Sequence, residues 1–147
     1  GVFVLPEEID RDIFLICAGT GVAPFRSMAQ YLIRNHIPHK HIYLIFGCRR
    51  LTDGLYADEL KQLEKEDPSF SYIPIYSREQ PGNPAICTGY VHAVYENICG
   101  EKKELRGDNT YPAWFYLCGW KEMINEAKQR IQALGYDRKD IHQELYG

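Results

Sequence analysis

IFLICAGTGVAPF, residues 13–25, decides the fold of this chain. Its first five residues form a continuous apolar run, which is typical of a strand buried on both faces of a sheet. The glycines at 19 and 21 allow a sharp turn. Pro24 suits the first turn of a helix, where its missing N–H is harmless. The stretch therefore predicts a buried strand, a tight glycine turn and a helix in direct succession.

The same order of strand and helix recurs along the 147 residues. Further apolar runs predict strands at 42–46, 70–76 and 114–118, and a closing strand is predicted within 140–146. A helical spacing of apolar residues follows each of the first four strands. Regular alternation predicts an α/β fold, with a doubly wound, mainly parallel five-stranded sheet covered by helices on both faces.

Two helix ends are predicted from breaker residues and polarity. The third helix, which carries Val91 and Tyr95 on its apolar stripe, is expected to end near Gly100. The polar stretch 101–109 is then expected to form an exposed loop. Gly135 is well placed to cap the C-terminus of the fourth helix.

Composition bounds the class of protein. Apolar residues make up 45% of the chain and charged residues 25%, which is ordinary for a globular domain and excludes a disordered or fibrous chain. A net charge of −3 argues against a general nucleic-acid binder, and no apolar stretch is long enough to span a membrane. The five scattered cysteines contain no CxxC pair, so we expect reduced thiols in a cytoplasmic protein.

The glycine turn after the first strand is the first candidate binding loop. Ligands of such sheets bind at the carboxyl ends of the strands, near the point where the strand order reverses. The amides of this turn and the start of the following helix favour an anion such as pyrophosphate. A tight turn without any ligand is the alternative. The residues concerned are Gly19, Thr20, Gly21, Val22 and Pro24.

The loops after the next two strands are basic. Arg49 and Arg50 follow the second strand, where a site selective for NAD would want an acidic residue. Ser77 and Arg78 follow the third strand. Guanidinium groups donate paired hydrogen bonds to phosphates, so the two loops together favour an anionic ligand, and Ser77 with Arg78 could hold a ribose 2′-phosphate. Solvated polar strand ends are the alternative for both loops.

The fourth candidate binding loop runs from Cys118 to Met123, and Gly119 and Met123 are its candidate cofactor contacts. Gly119 would let a flat ring approach the backbone. Cys118 lies at the end of a buried strand, where a lone cysteine is most often a small buried apolar residue rather than a nucleophile. A metal site built from His36, His39 and His41 is a further alternative, although solvated loop histidines are the simpler interpretation.

Taken in order, these loops resemble the pyridine-nucleotide domain of the ferredoxin–NADP(+) reductase family, which includes the reductase halves of diflavin enzymes. The resemblance covers nearly the whole chain. It rests on six motifs, which are FVLP at 3–6, GTGVAPFRS at 19–27, FGCR at 46–49 with DGLY at 53–56 and Glu59, SREQ at 77–80, YLCG at 116–119, and HQELY at 142–146.

The resemblance implies a role for several residues. The glycine turn with Thr20 would contact the pyrophosphate and the nicotinamide, while Ser77 and Arg78 would recognise the 2′-phosphate and favour NADP(H) over NAD(H). Cys118 would lie beside the nicotinamide C4 and shape hydride transfer without acting as a nucleophile. Glu144 matches the near-terminal carboxylate, and Tyr146 the aromatic residue that stacks on the flavin.

The sequence departs from the family pattern at three points. Gly147 follows the aromatic residue on which plant-type members end, and Trp120 with its two successors differs from the residues commonly found after the Cys-Gly pair. A third contact to the 2′-phosphate has no clear match. The resemblance therefore favours NADP(H) while leaving an NAD(H)-preferring domain as an alternative.

The resemblance also sets expectations for the whole protein. Residues 1–10 would be the end of a preceding FAD domain and its linker, and residues 11–147 the NAD(P)-binding domain. An FAD-binding β-barrel is expected upstream, so the isolated chain should be inactive. Partners would be that FAD domain and an electron acceptor such as ferredoxin, flavodoxin, an FMN domain or a haem domain.

Two alternatives come from other functional classes. A non-catalytic module that senses NADP(H) would have no use for the flavin-facing Glu144 and Tyr146. A flavodoxin-like FMN-binding protein would need a Ser/Thr-rich phosphate loop after the first strand, and residues 19–24 do not form one.

Overall fold

In a computed structural model of the protein, residues 5–48, 56–76, 91–107 and 109–145 are described. They form five strands, four α-helices and two short 3-10 helices. These are β1 (Asp12–Ala18), a 3-10 turn (Gly19–Gly21), α1 (Val22–Arg34), β2 (Ile42–Cys48), α2 (Ala57–Glu66), β3 (Phe70–Tyr76), α3 (Val91–Leu105), β4 (Ala113–Gly119), α4 (Lys121–Ala133), a second 3-10 turn (Arg138–Asp140) and β5 (Ile141–Leu145).

The strands form one sheet in the order β3-β2-β1-β4-β5, and each neighbouring pair is parallel. The chain moves outward from β1 through β2 to β3, then returns to the other side of β1 with β4 and β5. The strand order therefore reverses between β1 and β4. This arrangement confirms the predicted doubly wound, five-stranded α/β fold.

Helices cover both faces of the sheet, as the sequence predicts. One face packs against α1 and α2 through residues such as Phe25 and Leu60, and it includes Cys17 and Cys118. The other face packs against α3 and α4 through residues such as Tyr95. Because β1 lies between two neighbouring strands and two helical layers, its residues 13–18 are all buried, which explains the apolar run at 13–17.

The predicted end of α3 is wrong. The helix continues through Gly100 to Leu105, so 101–105 belongs to the helix and not to an exposed loop. Its last turn also contacts the core, since the Lys102 ammonium lies 6.0 Å from the centre of the Tyr111 ring. The predicted cap of α4 is confirmed, because Gly135 has a φ of +105° and its N–H donates to the Gln132 carbonyl at 3.0 Å.

The histidines of the turn before β2 are only partly solvated. His36 is exposed, as expected. The His39 side chain is 7% exposed, and its Nε2 lies 2.9 Å from Asp67 Oδ2. The interpretation of solvated loop histidines is therefore wrong for His39, whose side chain is buried beside a carboxylate. Within the described residues, no three histidine, cysteine or acidic side chains gather as a metal site would require.

Within the described residues, every helix is too short or too polar to span a lipid bilayer.

Candidate functional site

The glycine turn lies where the strand order reverses. The 3-10 turn of Gly19–Gly21 follows β1 directly, and it contacts both α1 and the neighbouring β4. Gly19 adopts a φ of +56°, a conformation that favours glycine. Thr20 is exposed at the tip of the turn, whereas Gly21 and Val22 are buried beneath it. The turn therefore presents Thr20 and backbone groups to the carboxyl edge of the sheet.

Two helices begin at this edge, one on each side of the sheet. α1 starts after Gly21 and α4 after Trp120, and within the described part of the chain neither of these residues provides a side-chain cap. Pro24 is the third residue of α1, as its missing N–H allows. The positive ends of these two helix dipoles lie at the same edge of the sheet, which suits an anionic group there.

Gly119 ends β4 in a space that admits no side chain. A Cβ at this position would lie 3.0 Å from Met123 Sδ in the first turn of α4. Met123 itself is 6% exposed, so its thioether fills the volume behind Gly119 and supports the backbone there. Met123 therefore packs against Gly119 and occupies the space that a side chain at position 119 would need.

Cys118 and Glu144 are direct neighbours on β4 and β5. On the other side of β4, Cys17 of β1 is the register partner of Cys118. Since register partners on parallel strands project to the same face, these three side chains belong to the side covered by α1 and α2. The structure therefore brings together the two described residues for which the sequence predicts a role in hydride transfer.

Electrostatics keep the Cys118 thiol neutral. Burial, and to a smaller extent the negative charge of Glu144, raise the pKa of Cys118 to about 11. The residue is 4% exposed. A thiol with this pKa is protonated at neutral pH and is a poor nucleophile, because the thiolate is the reactive species. Position and charge state thus favour the predicted role of a neutral shaping residue.

A cluster of side chains that the sequence analysis did not bring together joins α1 to α2 at the carboxyl edge of the sheet. Arg26 donates a hydrogen bond from Nε to Glu59 Oε2, and Gln30 Nε2 donates to the same oxygen at 3.3 Å. The guanidinium of Arg26 also lies 4.5 Å above the centre of the Tyr56 ring. Tyr56 precedes α2 with a φ of +63°. The cluster ties the start of α2 to the helix that follows the glycine turn.

Five residues singled out by the sequence lie outside the described residues. They are Arg49, Arg50, Ser77, Arg78 and Tyr146. Their assignment to phosphate recognition and flavin stacking stays a prediction.

Comparison with known proteins agrees with this arrangement. The profile of the family described as the oxidoreductase NAD-binding domain matches residues 15–129, which is more than half of the chain. The match begins in β1 and ends within α4, so it spans the glycine turn, Cys118 and Gly119.

Two curated relatives match over almost the full chain. Ferredoxin–NADP reductase B of Sorangium cellulosum is 32% identical over 148 residues, covering 99% of this chain and 59% of the relative. The phenol hydroxylase P5 protein of Acinetobacter pittii is 32% identical over 152 residues, covering 99% of this chain and 39% of the relative. The chain thus spans less than two thirds of the length of either protein.

The fold is found in solved reductases as well. The crystal structure of a cytochrome P450 reductase from Amycolatopsis superposes with a TM-score of 0.82 at 24% identity, covering 99% of this chain and 41% of that one. At this identity the likeness concerns the fold alone. Together with the matched profile, it confirms the resemblance drawn from the six motifs. The chain belongs to the oxidoreductase NAD-binding domain family, among the ferredoxin–NADP(+) reductase-like proteins.

Proposed function

We propose that this chain is the NADP(H)-binding half of an FAD-dependent oxidoreductase. The observation that carries the proposal is the pairing of Cys118 with Glu144 beside the bare backbone of Gly119, at the reversal of strand order. When bound, NADPH supplies a hydride that the flavin accepts and passes on as electrons. The work of this chain is then to bind the nucleotide and to orient its reacting face.

The described residues fit such a nucleotide. The glycine turn and the start of α1 would hold the pyrophosphate, because the turn brings backbone groups close to the ligand and the helix dipole supplies positive potential. Gly119 would let a planar ring approach the backbone on the side away from Met123, because glycine carries no side chain. Among the described residues, backbone groups rather than charged side chains would therefore make most of the contacts with the nucleotide.

Cys118 and Glu144 would orient the nicotinamide ring. The buried thiol is neutral, so it offers a small uncharged surface to the nicotinamide ring. Glu144 holds its negative charge on the neighbouring strand and on the same side of the sheet. We assign to Cys118 the role of fixing the approach of the nicotinamide, and to Glu144 the role of a polar neighbour of the reacting groups.

Preference for NADP(H) over NAD(H) is part of the proposal. The resemblance assigns recognition of the 2′-phosphate to Ser77 and Arg78. Arg49 provides a second cation where an NAD-selective site would have an acidic residue. The name of the Sorangium relative, a ferredoxin–NADP reductase, supports the same preference.

The rest of the proposed protein follows from the relatives. Residues 1–10 would link this domain to an FAD-binding domain, on which Tyr146 would stack against the flavin. The acceptor would be ferredoxin, flavodoxin, an FMN domain or a haem domain. A cytochrome P450 reductase and a phenol hydroxylase component among the similar proteins support an acceptor that is a protein with its own redox centre. We propose a cytoplasmic location for the whole.

Steady-state kinetics of the full-length protein with Arg78→Ala test the proposal. Loss of a bidentate phosphate contact should raise KM for NADPH about ten- to a hundredfold while leaving KM for NADH nearly unchanged. Arg106→Ala is the matched control, because Arg106 is an exposed arginine just after α3. Equal losses for NADPH and NADH in Arg78→Ala would reject the 2′-phosphate assignment.

Anaerobic mixing with NADPH tests the catalytic part separately. The flavin absorbance of the full-length protein should bleach within seconds. A protein that binds NADPH with no change in its visible spectrum would instead be a non-catalytic sensor.

A further inference from the structure

Trp120 places an exposed indole directly beside this site. It follows Gly119 at the end of β4 and precedes the first residue of α4. Its side chain is 48% exposed, whereas β4 itself is buried along most of its length. A half-exposed indole keeps apolar surface in contact with water, which is unfavourable in free energy. Packing against a ligand would bury that surface.

The backbone determines the side of the sheet on which Trp120 lies. A Cβ on Gly119 would meet Met123, which packs on the side of α3 and α4, while Cys118 packs on the side of α1 and α2. Trp120 is extended, with φ −81° and ψ 165°. Side chains alternate along an extended chain, so Trp120 projects to the same side as Cys118.

The neighbouring strands place this indole among the groups of the proposed site. Cys17 and Glu144 flank Cys118 in register on β1 and β5. Two residues further along β1, Gly19 begins the turn that contacts β4. Trp120 is thus level with the glycine turn and one residue beyond the bare backbone of Gly119.

We propose that Trp120 is a positioning residue whose indole packs against the nicotinamide half of the bound nucleotide and favours its oxidised form. The proposal rests on the proposed function, because it presupposes a nicotinamide beside Cys118. An oxidised nicotinamide ring is planar and cationic, and the face of an indole attracts cations. A reduced ring is neutral, so it gains only the packing contact.

Affinities measured by calorimetry on the full-length protein test the proposal with three ligands. Trp120→Ala should weaken NADP+ about tenfold and NADPH about threefold, since only the oxidised ring gains the cation–π attraction. It should leave the affinity for 2′-phospho-ADP-ribose unchanged, because that ligand lacks the nicotinamide. Trp120→Phe should recover part of the loss for NADP+, since phenylalanine keeps an aromatic face.

A spectroscopic readout separates direct contact from a structural effect. The protein would be labelled with 5-fluorotryptophan, and the ¹⁹F resonance of Trp120 assigned by its loss in Trp120→Phe. This resonance should move with NADP+ and stay in place with 2′-phospho-ADP-ribose. Trp114 is the matched control, because it lies at the opposite end of β4 beneath the guanidinium of Arg11, 4.7 Å from the ring centre. Its resonance should move with neither ligand.

Three outcomes would overturn the inference, and they differ in what else they reject. Equal losses for all three ligands would mean that Trp120 only supports the fold. A Trp120 resonance that ignores NADP+, although calorimetry shows binding, would reject the contact while the proposed function stands. A wild-type protein that binds none of the three ligands would reject the proposed function and this inference together.

Discussion

Cys118 of β4 and Glu144 of β5 are register partners on adjacent parallel strands, so a buried thiol and a carboxylate occupy the same level of the sheet. The two residues are 26 positions apart in sequence and are joined only by the way α4 returns the chain to β5. Their proximity has a measurable consequence. Burial and the charge of Glu144 both hold the Cys118 proton in place.

Alkylation of Cys118 should therefore be slow at neutral pH. With a pKa of about 11, roughly one thiol in ten thousand is ionised at pH 7. The rate of reaction with iodoacetamide should rise about tenfold per pH unit and level off near pH 11, measured by peptide mass spectrometry so that each cysteine is followed separately. Cys99 is the internal control, because burial on the opposite face raises its pKa to about 12. A rate that levels off below pH 9 would contradict the described environment.

Glu144→Gln should make Cys118 easier to ionise. The substitution keeps the shape of the side chain and removes the negative charge that raises the Cys118 pKa. The alkylation profile of Cys118 should move to lower pH, with a rate about two- to threefold higher at pH 8. Cys99 should react as it does in the wild type. An unchanged Cys118 profile would show that Glu144 exerts no field on the thiol.

Gly119→Ala should destabilise the protein through its contact with Met123. The new methyl group would lie 3.0 Å from Met123 Sδ, and moving this buried side chain should cost about 1–3 kcal/mol in the free energy of unfolding. Gly47→Ala is the matched control, a glycine of β2 whose nearest atoms to a new Cβ are 3.8 and 3.9 Å away. Urea denaturation of both variants measures the difference.

A double variant identifies the cause of that destabilisation. Met123→Ala alone should lose stability because it leaves a cavity, and adding Gly119→Ala to it should cost less than Gly119→Ala costs in the wild type. Additive losses would show that Met123 is not the group that excludes a side chain at position 119.

Sequence reasoning was most successful where burial leaves a simple pattern. The central strands are covered on both faces, so their residues are almost all apolar, and the runs at 13–17 and 114–118 locate β1 and β4 to within one residue at each end. The glycine turn was also identified, because Gly19 and its neighbours have few other uses between a buried strand and a helix. Both features are local, and local features can be predicted from a single sequence.

Features that depend on contacts between residues distant in sequence could not be predicted from the sequence. The contact of Arg26 with Glu59 joins residues 33 positions apart, on two helices whose rotation is set by packing. The reversal of strand order lies between β1 and β4, a fact that only the sheet topology reveals. The predicted end of α3 lies too early for a different reason. Its apolar stripe stops near Gly100, while Glu, Lys and Leu continue the helix through their own helical propensity.

Gly100→Ala should stabilise the protein, because the helix continues past this position. Gly100 lies within α3, and a new Cβ there would meet no atom within 4 Å. Alanine reduces the freedom of the unfolded chain without strain in the helix, which should add about 0.5–1 kcal/mol to the free energy of unfolding in urea. Gly107→Ala is the control that should do the opposite: it also has open space around its Cβ, but its φ of +68° strains any side chain. A neutral or destabilising effect of Gly100→Ala would argue that 101–105 is a loop, as its polarity first suggested.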